Sequence, residues 1–194
     1  MSGRRSVSQY RAIDLALFAL MLTVFETVVV NAARRWFPNE PYTVSVVPAL
    51  TAIVLMRWGP WAALHAALGG AVFCVASGAR GVHYMIYMIG NLAALGGLVM
   101  LRRLTPEGVR ASVMASLGFA ALVTLLMQAG RAVLAVLLGF PFPAALGFFT
   151  TDAITLLFTL VIIWIVRRLD GMFEEQRHYL LRINRQEEEE RGGF

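Results

Sequence analysis

Between Ala111 and Leu138 runs an apolar stretch that carries Gln128 and Arg131 in its second half. A stretch of that length crosses a ~30 Å hydrocarbon core as a helix. An arginine inside it is costly, by about 2.5 to 3.5 kcal/mol at the bilayer centre on insertion scales. Such a residue must snorkel to a surface, join an ion pair or face a polar cavity. Arg131 stands roughly 12 Å in from the helix end at Gly139, at 1.5 Å of rise per residue, and all three outcomes stay open at that depth.

The rest of the chain agrees with a membrane setting. Of 194 residues 58% are apolar and 15% charged, which predicts one integral domain with a short polar appendage. All 17 basic residues are arginines. They sit singly or in pairs between apolar runs, as topology signals do, and not in the solvated patch that nucleic acid needs. The single cysteine, Cys74, excludes an internal disulfide and a thiolate metal cluster. The polar start, residues 1–11, and the long run after it differ from a cleaved signal peptide, so the first helix is expected to remain attached.

Hydropathy and breakers predict an all-α membrane protein: a six-transmembrane-helix bundle over 12–168, followed by a cytoplasmic amphipathic helix and acidic tail over 169–194. The spans are read as 12–33, 43–56, 60–77, 82–101, 111–138 and 144–166. The second is short and contains Pro48, so it is expected to be tilted and kinked. Arg57-Trp-Gly-Pro60 then makes a tight turn, with Pro60 at a helix start, where its missing N–H is harmless. Two sets of small residues spaced by four, Ala62/Ala66/Gly70 and Ala63/Ala67/Ala71, allow close helix approach. Residues 34–42 form an interfacial linker with Trp36 and Tyr42 at headgroup level. Past Arg168, Leu169, Met172, Phe173, Gln176, Leu180 and Ile183 recur at helical spacing among charges, the pattern of a surface helix.

With six spans and a cytoplasmic start, only Arg34, Arg35 and Arg80 fall outside, a strong positive-inside bias that places both termini in the cytoplasm. Glu26, Asn91, Gln128, Arg131 and Asp152 then share one depth in the outer half. His83, Tyr84 and Tyr87 stand near the same end, with His83, Tyr87 and Asn91 on one helix face. This predicts an outward pocket lined by the first, fourth, fifth and sixth spans and roofed by the loops around Trp36, Tyr42 and Arg80. The alternatives are that Asp152 and Glu26 neutralise Arg131 and that Asn91 and Gln128 are interhelical hydrogen-bond glue. His65, alone on a face of alanines, reads as structural. No GxSxG, HExxH or phosphate loop is present, and three histidines on separate elements make no metal site. Neither catalysis nor a cofactor is expected.

Three local features carry a family resemblance. The first helix opens Ala12-Ile-Asp-Leu-Ala16; Val47 to Pro60 runs through Arg57-Trp-Gly-Pro60 into an Ala/Gly-rich helix; and Thr151-Asp152 stands near the start of the last span. Over residues 10–168 the chain resembles the substrate-binding S component of an energy-coupling factor vitamin transporter. The resemblance implies a bilayer-embedded binding subunit for a small micronutrient in a bacterial cell membrane, with a T component and two ATPase subunits as partners. Ala12 and Ala16 would dock on the T component. Arg131 would anchor a carboxylate or phosphate, and Trp36, Tyr84 and Tyr87 would stack on a ring. The rival is a membrane scaffold of the MreD type, similar in size and topology. A proton-coupled carrier using Glu26 or Asp152 is a third reading, weakened by the absence of paired halves.

Overall fold

The computed structural model describes residues 7–39 and 42–192. Most of the predicted N-terminal arm, two linker residues at 40–41, the last two residues and the side chains of the acidic run 187–190 lie outside the described residues. Within them every regular element is helical. Five stretches are long and apolar enough to cross a membrane: Val7–Trp36, Val47–Ser77, Val82–Leu104, Val113–Leu137 and Phe142–Val166. The chain is a multi-pass membrane protein.

The first stretch is a single helix, α1 (Val7–Trp36). Its polar residues on the exposed face bond their own backbone: Thr23 to Ala19 O at 2.8 Å, Thr27 to Thr23 O at 2.7 Å and Asn31 to Thr27 O at 2.8 Å. Hydroxyl and amide groups satisfied in this way can face lipid. Ala12 and Ala16 are on the exposed side as well.

The second stretch is not one rod. A Cβ on Gly69 would come within 2.4 Å of Val47 Cγ1, whereas 22 residues of straight helix would hold them about 33 Å apart. The stretch folds back at Gly59, whose φ of +58° is in the half of the map that glycine occupies without strain. It therefore comprises α2 (Val47–Trp58) and α3 (Ala62–Ser77), running antiparallel and joined by a 3-10 turn over Gly59–Trp61. Arg34, near the end of α1, donates to Ala76 O near the end of α3 at 3.0 Å. Those two ends lie together, at what is here termed the arginine-poor end because it holds Arg34, Arg35 and Arg80.

All 12 residues of α2 are buried. At about 18 Å it is shorter than the hydrocarbon core, and protein surrounds it. The kink expected at Pro48 is absent, because the helix starts at Val47 and the proline occupies its first turn, where no N–H is required. Residues 43–46, read from sequence as the start of this span, are non-helical.

The third stretch contains α4 (Val82–Gly90), a 3-10 segment over Asn91–Gly96 and α5 (Gly97–Leu104). A short helix, α6 (Pro106–Ala111), occupies what reads as a loop in the sequence. Thr105 caps it, accepting from Gly108 N at 3.2 Å. Helix α7 (Val113–Leu137) follows, and the last stretch is broken at Asp152 into α8 (Phe142–Thr151) and α9 (Ala153–Val166).

The C-terminal helix, α10, spans Gln176–Gly192 and so begins seven residues later than the predicted start at 169. The chain between α9 and α10 is drawn into the bundle instead. Phe173 is fully buried, 6.3 Å from the Phe119 ring. Arg57 donates to the carbonyls of Gly171 and of Met172, the latter at 3.3 Å. Its Nε and Nη2 grip Asp14 at 2.9 and 2.7 Å, and Trp58 Nε1 adds a third bond to that carboxylate at 2.5 Å. A planar fork that meets two carboxylate oxygens and still reaches carbonyls is a role for arginine and not lysine. This knot joins α1, α2 and the C-terminal connection at the arginine-rich end.

Candidate functional site

Helices α4 and α7 cross backbone against backbone. A Cβ on Gly130 would sit 2.1 Å from Gly90 O, and one on Gly90 would sit 2.8 Å from Arg131 Cα. No side chain other than hydrogen fits either position. The crossing delivers Asn91, the next residue after Gly90, to Arg131. Arg131 Nε donates to Asn91 Oδ1 at 2.7 Å, and Asn91 Nδ2 donates on to Ala66 O of α3 at 3.0 Å.

The break at Asp152 supplies the counter-charge. Arg131 Nη1 donates to Asp152 Oδ2 at 2.7 Å, and the guanidinium lies 4.8 Å from the centroid of the Tyr87 ring. With 3% of its surface exposed, Arg131 is turned inward and not toward the lipid headgroups. Nη2 makes no hydrogen bond among the described residues. The Tyr87 ring stacks on Phe73 at 4.5 Å and meets Phe148 edge-on at 5.8 Å.

The other carboxylate oxygen of Asp152 accepts from the Thr43 hydroxyl. Thr43 N donates to Thr151 O at 3.0 Å; Thr155 Oγ1 donates to Thr43 O at 3.0 Å and accepts from Ser45 N at 3.1 Å. Glu26 Oε2 accepts from Val46 N, at the entry to α2, at 2.8 Å. A side-chain oxygen at a helix N-terminus gives an orphan N–H the acceptor it lacks within the helix. Non-helical backbone at membrane depth survives only where protein satisfies it; Thr151 O and Thr155 do so for Thr43, Thr155 for Ser45 N and Glu26 for Val46 N, while Asp152 holds the Thr43 side chain. Glu26 Oε1 is buried and has no hydrogen-bond partner among the described residues.

A cavity of about 390 Å³ opens directly above, at the arginine-poor end. Arg34 and Ala33 of α1, Phe37, Tyr42 and Thr43 of the linker, and Phe73 of α3 form its walls. Two of those residues tie it to the cluster below: Thr43 through Asp152, and Phe73 through the Tyr87 stack.

Of the residues singled out in the sequence, Asn91, Asp152 and Tyr87 each meet Arg131. Gln128 is buried one helical turn from Arg131. Glu26 reaches the linker but not the guanidinium by any hydrogen bond. Tyr84 packs beside Val30 and Phe73. His83 is exposed, its ring 5.8 Å from Phe140, and Trp36 is 77% exposed. None of these nine lines the cavity. The expected division, with the second and third spans apart from the pocket, differs from the structure, where α3 supplies a wall and α2 is central. Sequence reasoning missed Thr43, Ser45, Thr155 and Phe73. Thr155 carried a usable signal, standing three residues after Asp152 and hence on its helix face.

Among the described residues, Glu107, Glu175 and His178 bring possible metal-ligand atoms within 4.8 Å of one another at the arginine-rich end. They form an exposed ion-pair cluster there, with His178 Nδ1 2.6 Å from Glu107 Oε1 and 3.4 Å from Glu175 Oε2. The hydrogen bond between His178 and Glu107 raises the imidazole above its ordinary pKa and lowers the carboxyl below its own.

No family model matches the chain, and neither a curated protein nor a solved structure does.

Proposed function

We propose that the chain is a six-pass membrane subunit that captures a small micronutrient, a vitamin or related compound, at its arginine-poor end. Both termini then face the cytoplasm of a bacterial cell. As in the energy-coupling factor S components that the sequence resembles, the partners are a T component and two ATPase subunits. The fold-back at Gly59 supports six passes, because it puts Arg34 and Ala76 at one end and leaves three arginines there.

The observation that carries the reading is the cavity resting on the Arg131 cluster. Its ~390 Å³ lies in the range of small-molecule sites, about 300 to 1,000 Å³. It combines apolar and aromatic walls with the Arg34 guanidinium. Phe37, Tyr42 and Thr43 wall the cavity, and Thr43 and Val46 are pinned below by Asp152 and Glu26. A ligand carboxylate or phosphate meets Arg34 in the cavity wall, because a guanidinium offers bidentate donors, and the unpaired Nη2 of Arg131 is the deeper donor once the ligand displaces the residues between. A ligand ring lies against Phe73 and Tyr87. In this reading Asn91, Gln128, Asp152 and Glu26 hold the deep donors in place, and His83, Tyr84 and Trp36, which do not line the cavity as it stands, close over a bound ligand. Ala12 and Ala16, exposed on α1, offer the T component a smooth face.

Purification in mild detergent, extraction and mass spectrometry test this. A single small molecule at near-stoichiometric amounts is expected, lost from Arg34→Gln and from Phe73→Ala. Wild-type protein that emerges empty from rich medium, and whose melting temperature no vitamin raises, overturns it. The scaffold reading has one observation in its favour: most polar groups at this depth already bond one another. It predicts that empty protein.

A further inference from the structure

A second cavity, about 610 Å³ against about 390 Å³ for the first, lies at the opposite, arginine-rich end. Leu55, Leu98 and Leu101 make its floor, and Arg11, Arg102 and Arg177 stand around it, from three elements far apart in sequence. Arg57 also reaches this cavity but is committed to Asp14. None of the other three is ion-paired among the described residues. Arg11 is held in place by stacking 4.5 Å over the Trp61 ring, a half-exposed indole of the kind that sits at headgroup level. Glu175 is the one carboxylate among the lining residues, so three cations face a single anion.

We propose that this cavity is a binding site for the phosphodiester headgroup of an anionic membrane phospholipid. A basic pocket between membrane helices is the arrangement such headgroups occupy, and guanidinium groups match phosphate oxygens in pairs. The leucine floor selects the lipid over a free phosphate ion: it offers a hydrated anion nothing, whereas it covers the glycerol and the first methylenes of an acyl chain. The bound lipid bridges α1, α5 and the start of α10, which bring Arg11, Arg102 and Arg177 to one cavity. This site is independent of any solute at the arginine-poor end.

The test is native mass spectrometry of the full chain in detergent with added dioleoylphosphatidylglycerol, dioleoylphosphatidylcholine or inorganic phosphate. One phosphatidylglycerol is expected to remain bound, and phosphatidylcholine is not. Each arginine near a headgroup is worth roughly fivefold in affinity, so Arg11→Gln/Arg102→Gln/Arg177→Gln together weaken binding roughly a hundredfold. Arg34→Gln/Arg35→Gln/Arg80→Gln, which removes equal charge at the other end, leaves it unchanged. Glu175→Gln, which spares every cation, tightens it several-fold and keeps the test valid if the triple variant fails to fold. Equal retention of both lipids, equal loss from both triple variants, no gain in Glu175→Gln, or displacement of the lipid by excess inorganic phosphate each overturns the proposal.

Discussion

Replacing Asp152 by alanine removes the counter-charge of a buried arginine, and the structure sets the size of the effect. The pair is separated by 2.7 Å, with 4% of the arginine side chain and 5% of the aspartate side chain exposed. At an effective dielectric of ~20, charges ~4 Å apart attract by about 4 kcal/mol. Measured losses on removing one member of a buried pair run at about 3 to 5 kcal/mol. Arg131 keeps Asn91 and the Tyr87 ring in the variant, which favours the lower value. Thr43 loses its acceptor, which adds about 1 kcal/mol. The expected destabilisation is about 4 kcal/mol. In Arg131→Met/Asp152→Leu no charge is stranded, so the double variant should recover about 3 kcal/mol of that loss, roughly 150-fold in the unfolding equilibrium. Cys74, the single cysteine and fully buried, gives the assay: its rate of reaction with a thiol dye, followed along a denaturing detergent series, reports unfolding. If Asp152→Ala unfolds within about 0.5 kcal/mol of wild type, or if the double variant is as unstable as the single, the network does not hold the linker.

The helix crossing gives a sharper steric contrast. Gly130→Ala places a Cβ against backbone and should cost about 1 to 3 kcal/mol in the same assay. Gly147→Ala, in a helix with nothing within 4 Å, should stabilise by about 0.5 to 1 kcal/mol; equal effects would refute the backbone contact. Glu26→Gln keeps an acceptor for Val46 N and should be close to neutral, whereas Glu26→Leu strands that donor and should cost about 1 to 3 kcal/mol, as thermal melts will show. At the other end, the raised His178 favours folding at pH below its ordinary value, and that support fades as pH rises through its folded pKa. The lowered Glu107 contributes above its ordinary value, and its share fades as pH falls through its folded pKa. The clasp between α6 and α10, with Glu175 beside it, should thus be firmest in mildly acidic solution and loosen toward alkaline pH. Hydrogen exchange over 176–182, corrected for intrinsic rate, should slow at mildly acidic pH relative to alkaline pH, and Glu107→Gln should erase the difference.

Apolar run lengths, the Gly-Pro reversal and the common depth of Asn91, Arg131 and Asp152 were all legible in the linear order of residues. Each is a local property: hydropathy over one helix length, a dihedral that suits glycine, a count of residues from a helix end. The meaning of that common depth was not legible. Glu26 and Asp152 read as partners of a solute or of Arg131, and the structure shows that both also bond residues 43–46, a segment the sequence presents as part of a helix. Nothing in the order of Thr43 to Val46 states that the backbone of Thr43, Ser45 and Val46 will meet side chains 20 to 112 positions away.

Local sequence thus determined that this chain enters a membrane, where its apolar stretches lie to within a few residues, and which polar side chains go in with them. Tertiary structure alone decided that α2 is enclosed on every side, since a helix apolar all round carries no stripe to announce its neighbours. It also decided which carboxylate meets which cation. That choice is made where two backbones touch, at Gly90 and Gly130, and two glycines 40 residues apart do not reveal their contact until the helices have packed.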